Sequence, residues 1–353
     1  MPDPSNPAVA PILFFVRGRG RGHAIAALAI ARSLAANGCT LPLHFVSYAS
    51  GADTLREAGE DVIDLGLPEK NAFVETVAPV GAVIREYRPR LVVAHEEFAV
   101  PAAARILKVP SVFLTDWFTD ASHSNMRALN FADEILFIDE PGVFGEPPYL
   151  SGRVRYVGPV LRERRYRSSD RTRARRELGL EDGQFAVAVF VHPGRRDETA
   201  APVCGLLLAA LDRMGVCKKI FWLSGGDDVL AARLDGRPDA VILDADAPFD
   251  QLMAACDLAV TKGNRNIVLE LASFGVATIS FSHGLNRIDD MRTSRVAGNT
   301  TLVAARLKPD SLAEIIREKM RGKLDSSGMT PAAFRDGAQG AAARLIEIAA
   351  AIP

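Results

Sequence analysis

Neither sign of charge dominates this sequence of 353 residues: 42 lysines and arginines stand against 43 aspartates and glutamates, a formal charge of -1. A global basic field able to hold nucleic acid or an anionic membrane is therefore excluded, and any anion site has to be local. Cysteine is scarce as well. The four present, Cys39, Cys204, Cys217 and Cys256, make no C-x-x-C pair and have no histidine at ligand spacing, so neither a disulfide framework nor a zinc site is indicated, and buried thiols in a reducing compartment are expected. No apolar run approaches the roughly 20 residues needed to cross a bilayer, and no internal repeat of solenoid length occurs. The first ten residues are short of basic charge and bear proline, unlike a targeting leader. A cytoplasmic protein with a disordered tail over 1–10 is expected, with peripheral membrane contact left open.

What is present is ordinary globular material, 48% hydrophobic and 24% charged, which excludes a wholly disordered, collagen-like or coiled-coil chain. The length suggests two domains and hence a cleft. Residues 11–16 form an apolar run of strand length, 18–22 are glycine-rich, and 23–36 carry apolar residues at helical spacing until Gly38 stops them. The same alternation predicts strands at 43–46, 91–94, 111–115 and 134–138, with helices at 53–58, 100–107 and 125–129. Such alternation indicates a parallel sheet covered on both faces. From 151 to 176 the sequence turns rich in arginine and serine, apart from a strand-like piece at 154–161, and a boundary is expected near Arg165. A second series predicts strands at 185–191, 219–224, 240–243, 258–260 and 276–280, and helices at 199–213, 249–255 and 266–274. The expected architecture is α/β, with two tandem Rossmann-like, doubly wound domains over 11–164 and 165–330. A final alanine-rich helix over about 331–351, in the segment 331–353, is expected to pack across their junction. Ligands of such sheets lie at the C-terminal ends of the strands, so facing loops are expected to line one cleft.

Two segments carry residues suited to chemistry. Gly18, Arg19, Gly20, Arg21, Gly22 and His23 join the first strand to the first helix. The glycines allow a tight turn and close approach of a ligand, while a histidine entering the helix projects over the same loop. His23 is either a general base facing an acceptor or a helix cap. The spacing misses the dinucleotide fingerprint G-x-G-x-x-G, and no acidic residue closes the strand near 43–47, which disfavours NAD. Arg17, Arg19 and Arg21 lack the interleaved aromatics of a nucleic-acid segment. They either meet a phosphate or carboxylate on an acceptor or form a solvated loop. Asp116 is placed on the same acceptor side, and with His95 and His123 it shows no zinc spacing.

The second segment is Thr261, Lys262, Gly263, Asn264, Arg265 and Asn266, followed by Glu270. A strand, a polar loop and a helix N-terminus make an anion cradle, to which Lys262 and Arg265 add charge. Glu270 either accepts hydrogen bonds from ribose hydroxyls or is a solvated helix residue. His192, Gly194 and Arg195 close the first strand of the second series and either border the cleft or form a turn.

Together these segments resemble the GT-B fold nucleotide-sugar glycosyltransferases: strand, G-x-G-x-G-H and helix in the first half, then polar loop, glutamate-bearing helix, F-G-V-A-T and an amide-containing stretch in the second. The likeness covers roughly 12–324. It is nearest to the N-acetylglucosaminyltransferases of lipid-linked peptidoglycan precursor assembly and to the plant and antibiotic glycosyltransferases. The resemblance implies that His23 deprotonates the acceptor and that Glu96, two residues before Phe98, orients the histidine. It further implies that Asn266 and Lys262 contact the donor diphosphate and that Glu270 holds the ribose. The implied reaction is inverting transfer of a sugar from a UDP- or dTDP-sugar to a hydroxyl-bearing acceptor, small or lipid-linked. Asp244, Ala245 and Asp246 have the form of a metal-binding D-x-D, but in this fold they fall near the nucleotide base; helix dipole and lysine neutralise the diphosphate, and no metal is expected. The Asp-Gln or Glu-Gln pair that reads the sugar in the family is replaced by Asn286, Arg287, Asp289 and Asp290, which leaves the sugar open. No cofactor beyond the nucleotide-sugar co-substrate and no nucleic-acid partner are expected. The alternatives are a nucleotide-sugar hydrolase or 2-epimerase on the same fold, and a non-catalytic nucleotide-sugar-binding protein.

Overall fold

The computed structural model describes residues 10–118, 124–141, 146–191, 200–223, 232–244, 247–261, 265–282, 300–304, 306–325 and 334–352. The chain divides into two units, one that ends at Arg162 and resumes at Phe334, and one spanning Glu163–Ala333.

The first unit runs β1 (Ile12–Val16), α1 (Gly22–Ala36), β2 (Leu43–Ser47), α2 (Ala49–Glu57), β3 (Val62–Asp64), α3 (Phe73–Tyr87), β4 (Leu91–His95), α4 (Ala99–Leu107), β5 (Ser111–Thr115), α5 (Ser124–Ala128), β6 (Glu134–Phe137) and β7 (Val154–Tyr156). Its strands are all parallel, in the order β3-β2-β1-β4-β5-β6-β7. The unbroken apolar run of β1 follows from burial on both faces. Ile12, Phe14 and Val16 enter one core together with α1, while Leu13 and Phe15 enter the other beneath α3 and α4.

The second unit runs α6 (Arg171–Glu177), β8 (Phe185–Phe190), α7 (Ala200–Asp212), β9 (Lys218–Leu223), β10 (Ala240–Leu243), α8 (Phe249–Ala255), β11 (Leu258–Thr261), α9 (Arg265–Phe274), β12 (Ala277–Ser282), β13 (Thr300–Ala304) and α10 (Pro309–Asp325). The order is β10-β9-β8-β11-β12-β13, again parallel throughout. Phe185, Val187 and Val189 of β8 face one core and Ala186, Ala188 and Phe190 the other. Both units are thus Rossmann-like, α/β and doubly wound. Each reverses its strand order beside its first strand, between β1 and β4 and between β8 and β11, where open α/β sheets bind ligands.

The last helix, α11 (Gly337–Ala351), belongs to the first unit. Ala338, Ala341, Ala342, Leu345 and Ala349 share one core with Ala24, Ala27 and Ile30 of α1. The helix starts later than its alanine pattern suggests because Asp336 caps it, its Oδ1 accepting from Gln339 N at 3.0 Å. At the other end Arg90 donates from Nε to the Ala349 carbonyl at 2.7 Å and from Nη2 to the Ile352 carbonyl, satisfying carbonyls that a helix end leaves open.

Several elements escape the sequence pattern. α3 contains Pro79, a residue that argues against a helix interior. Its start is held by the Glu75 carboxylate, which accepts from Ala72 N at 2.9 Å. Of the strand-like piece at 154–161, only Val154–Tyr156 pairs with β6. Because Leu345 is fully buried against α1, Leu345→Ala should cost about 2–5 kcal/mol. Urea unfolding of the first unit should show that loss, whereas an unchanged midpoint would mean that α11 adds nothing to this core.

Candidate active site

In the first sheet Val16, the end of β1, pairs with His95, the end of β4. The chain leaves both strands side by side at the reversal of strand order. After β1 it turns sharply through residues 17–21. A Cβ on Gly18 would lie 2.2 Å from the Tyr48 carbonyl oxygen, so only glycine fits there. Gly20 has φ +72°, the left-handed region that glycine enters without strain. Ser50 pins this loop: its Oγ accepts from Gly20 N at 2.8 Å, and its hydroxyl proton is shared between the Gly18 carbonyl at 3.0 Å and Glu69 Oε1 at 2.6 Å. The following helix α1 carries His23 in its first turn.

Glu96, immediately after β4, has φ +54°. For a side chain with a Cβ that conformation costs about 1–2 kcal/mol, and it persists only where the surroundings fix it. Here the Glu96 N–H donates to the Leu114 carbonyl at 3.2 Å, and the side chain, 5% exposed, is aimed inward. Oε2 lies 3.1 Å from His23 Nε2 and 3.9 Å from Arg17 Nη1, while Oε1 lies 3.1 Å from the Thr115 hydroxyl. Burial alone would raise the Glu96 pKa, but the hydrogen bond from His23 and the charges of His23, His95 and Arg17 prevail and hold it well below the carboxylate range. For His23 burial pulls the pKa down, yet the Glu96 hydrogen bond and charge, helped by Asp116, leave it raised above 6.5.

His95 donates from Nδ1 to the His23 carbonyl at 3.0 Å, and the two rings meet edge to face at 5.0 Å. Burial, reinforced by repulsion from His23, lowers its pKa to about 4, so this second histidine is neutral at physiological pH. Beneath the glycine loop the Tyr48 hydroxyl donates to Glu97 Oε2 at 2.9 Å. Burial raises both groups, Tyr48 to about 12. Tyr48, Ser50, Glu97 and Thr115 are the residues of this site that the motifs did not single out; the signal available was their position at or just beyond the C-terminal ends of β2, β4 and β5.

The three arginines do not converge. Arg21 forms an ion pair with Glu57, and Arg17 lies over the Phe98 ring at 5.7 Å beside Glu96. Arg19 is exposed. Asp116 follows β5 and acts on His23 and His95 through its charge, which brings it to the same cluster.

In the second unit Glu270 lies on α9 and is 2% exposed, so it is not a solvated helix residue. Asn266 sits in the first turn of that helix, which Arg265 opens. Lys262, Gly263, Asn264, His192, Gly194, Arg195, Ala245, Asp246, Asn286, Arg287, Asp289, Asp290 and His123 lie outside the described residues. Among the described residues no three histidine, cysteine, aspartate or glutamate side chains gather as a metal site, and no helix is long and apolar enough to cross a membrane. All four cysteines are free thiols, Cys204 and Cys256 buried.

No family model matches the chain, and no curated protein matches it in sequence. Solved structures match its fold over nearly its whole length. MurG of Acinetobacter baumannii is 15% identical over 97% of this chain and 99% of its own, with a TM-score of 0.64. The UDP-GlcNAc 2-epimerase of Neisseria meningitidis, bound to UDP-GlcNAc, is 14% identical over 96% and 99%, with a TM-score of 0.69. The glycotransferase of kitacinnamycin is 14% identical over 99% and 100%, with a TM-score of 0.65. The chain has the GT-B fold that these proteins share.

The His23–Glu96 pair makes stability depend on pH from both sides. Folded His23 holds its proton more tightly than the unfolded ring, so its contribution is complete below 6.5 and fades as pH rises through the raised value. Folded Glu96 holds its proton less tightly, so its contribution is complete above 4.5 and fades on acidification. Glu96→Gln should bring the His23 titration, followed by imidazole NMR, down to 6.5 or below. A titration that stays in place would show that Glu96 does not hold the proton there.

Proposed function

We propose that the chain is an inverting glycosyltransferase that moves a sugar from a UDP- or dTDP-sugar to a hydroxyl-bearing acceptor. The observation that carries this reading is the buried carboxylate of Glu96, held in left-handed backbone beside His23 at the strand-order reversal of the first sheet. A histidine made more basic by a fixed carboxylate suits a general base. In the proposed step the acceptor O–H gives its proton to His23 as its oxygen bonds to the anomeric carbon. The bond from that carbon to the diphosphate breaks, and the nucleoside diphosphate leaves with the electron pair. Glu96 stabilises the imidazolium so formed.

The second unit supplies the donor site in this reading. The buried Glu270 holds the ribose, and Lys262, Gly263, Asn264, Arg265 and Asn266 with the N-terminus of α9 meet the diphosphate, so no divalent ion is required. Asn286, Arg287 and Asp290 are assigned to reading the sugar, and His192 to the donor as well. Gly20, Gly22 and Asp116 border the acceptor. An anionic group on it falls to Arg19, because Arg17 and Arg21 are engaged within the fold. Free thiols suit a cytoplasmic location.

A 2-epimerase acting on a nucleotide sugar is the second reading, supported by the fold likeness to UDP-GlcNAc 2-epimerases. Calorimetry with a panel of nucleoside diphosphates in the presence of chelator, followed by turnover of the bound nucleotide's sugar donors, separates the readings. Binding of UDP or dTDP and transfer to an acceptor are expected, with His23→Ala slowing transfer about 10²- to 10⁴-fold and leaving nucleotide affinity unchanged. Epimerised donor in the absence of acceptor favours the second reading, and tight binding without turnover across a broad acceptor panel favours a non-catalytic binding protein. If no nucleoside diphosphate binds, the likeness is one of fold alone.

A further inference from the structure

The two nitrogens of His23 meet different surroundings. Nε2 is at the inner end, 3.1 Å from Glu96 Oε2, and Nδ1 is at the outer end, 3.2 Å from the Arg19 carbonyl oxygen. Both neighbours are hydrogen-bond acceptors, so the ring in this arrangement carries both protons. When it becomes neutral one N–H must be given up. Loss of the Nε2 proton sets a lone pair against a carboxylate, whereas loss of the Nδ1 proton sets it against a neutral carbonyl. A charge-assisted hydrogen bond is roughly twice as strong as a neutral one, so the neutral ring keeps its proton on Nε2.

We infer that Nδ1 is the basic atom of His23, and that the Arg19 carbonyl fills the place of the acceptor hydroxyl until the ring loses its proton. The identity of the incoming group rests on the transferase reading; the choice of nitrogen does not. In the neutral site two lone pairs face each other across that 3.2 Å gap, and the repulsion moves the carbonyl away. The loop is built for such a change, with Gly20 already at positive φ and Ser50 as its anchor. The single Ser50 proton has two acceptors, Gly18 O and Glu69, so Ser50 is the positioning residue that holds Arg19 over the ring. An acceptor hydroxyl then donates to the vacated Nδ1. When its proton crosses, the ring is an imidazolium again, with Nε2–H still on Glu96.

The other charged and titratable groups around the ring set when it titrates, not at which atom. His95 at the end of β4 is neutral, Asp116 beyond β5 favours the proton, Arg17 in the loop opposes it, and Glu97 bonds to Tyr48 rather than to the ring.

Histidine labelled with ¹⁵N in the full chain tests this without any substrate. The His23 signals are identified by their loss in His23→Gln. Above the His23 pKa the neutral ring should be the Nε2–H tautomer; an Nδ1–H tautomer overturns the inference. Ser50→Ala should lower the His23 pKa by about 0.5 to 1, the weight of one neutral hydrogen bond on the imidazolium, and Ser50→Thr should restore it. An unchanged pKa in a folded Ser50→Ala protein means that the Arg19 carbonyl does not hold the ring, and the stand-in role fails. Absence of nucleotide binding in the calorimetry above sinks the transferase reading and leaves these two results standing.

Discussion

A carboxylate carried into the interior at the end of a strand has to be met by positive charge and by donors, because leaving an ion buried without a partner costs several kcal/mol. At Glu96 the answer comes from three separate pieces of chain: His23 from α1, Thr115 from the end of β5 and Arg17 from the loop after β1. None of them reaches the carboxylate unless β1, β4 and β5 lie side by side in the register that pairs Val16 with His95 and His95 with Leu114. The apolar packing on the two faces of the sheet therefore fixes the electrostatics of the site. Truncation within β1 is a change to the geometry of His23 as much as to the core.

Adjacent carboxylates at one strand end have opposite fates. Glu96 is held ionised by His23 and Arg17, while burial raises the neighbouring Glu97, which takes the Tyr48 hydroxyl. The left-handed turn at Glu96 breaks the extended path of β4, so two successive side chains, both buried, serve different pockets. One tunes the histidine. The other braces Tyr48, against whose backbone and ring the glycine loop is packed.

The fold was legible where chemistry is local. Unbroken apolar runs such as 12–16 and 185–190 announced strands covered on both faces, and the glycine loop ending in His23 marked the turn from β1 into α1. The place of Glu96 beside His23 was legible through its likeness to a family pattern, whereas the burial of Glu270, which removes the solvated alternative, is a property of packing alone. Elements resting on tertiary support were not legible. Pro79 hides α3, and β3 is three residues long. The same limit applies to partners far apart in sequence: Arg21 and Glu57 are 36 residues apart, and Tyr48 and Glu97 are 49 apart. No spacing rule distinguishes an arginine awaiting an anion from one already held by such a partner.

The return of the chain to its first unit has a consequence for biosynthesis. α11 closes the core over α1, yet it follows all of Glu163–Ala333. At about 5–20 residues per second, the usual pace of translation, those intervening residues take roughly 10 to 35 s to make. Throughout that interval the core that holds Ala24, Ala27 and Ile30 lacks the residues α11 brings to it. The core of the first unit can therefore close only after the whole of Glu163–Ala333 has been made.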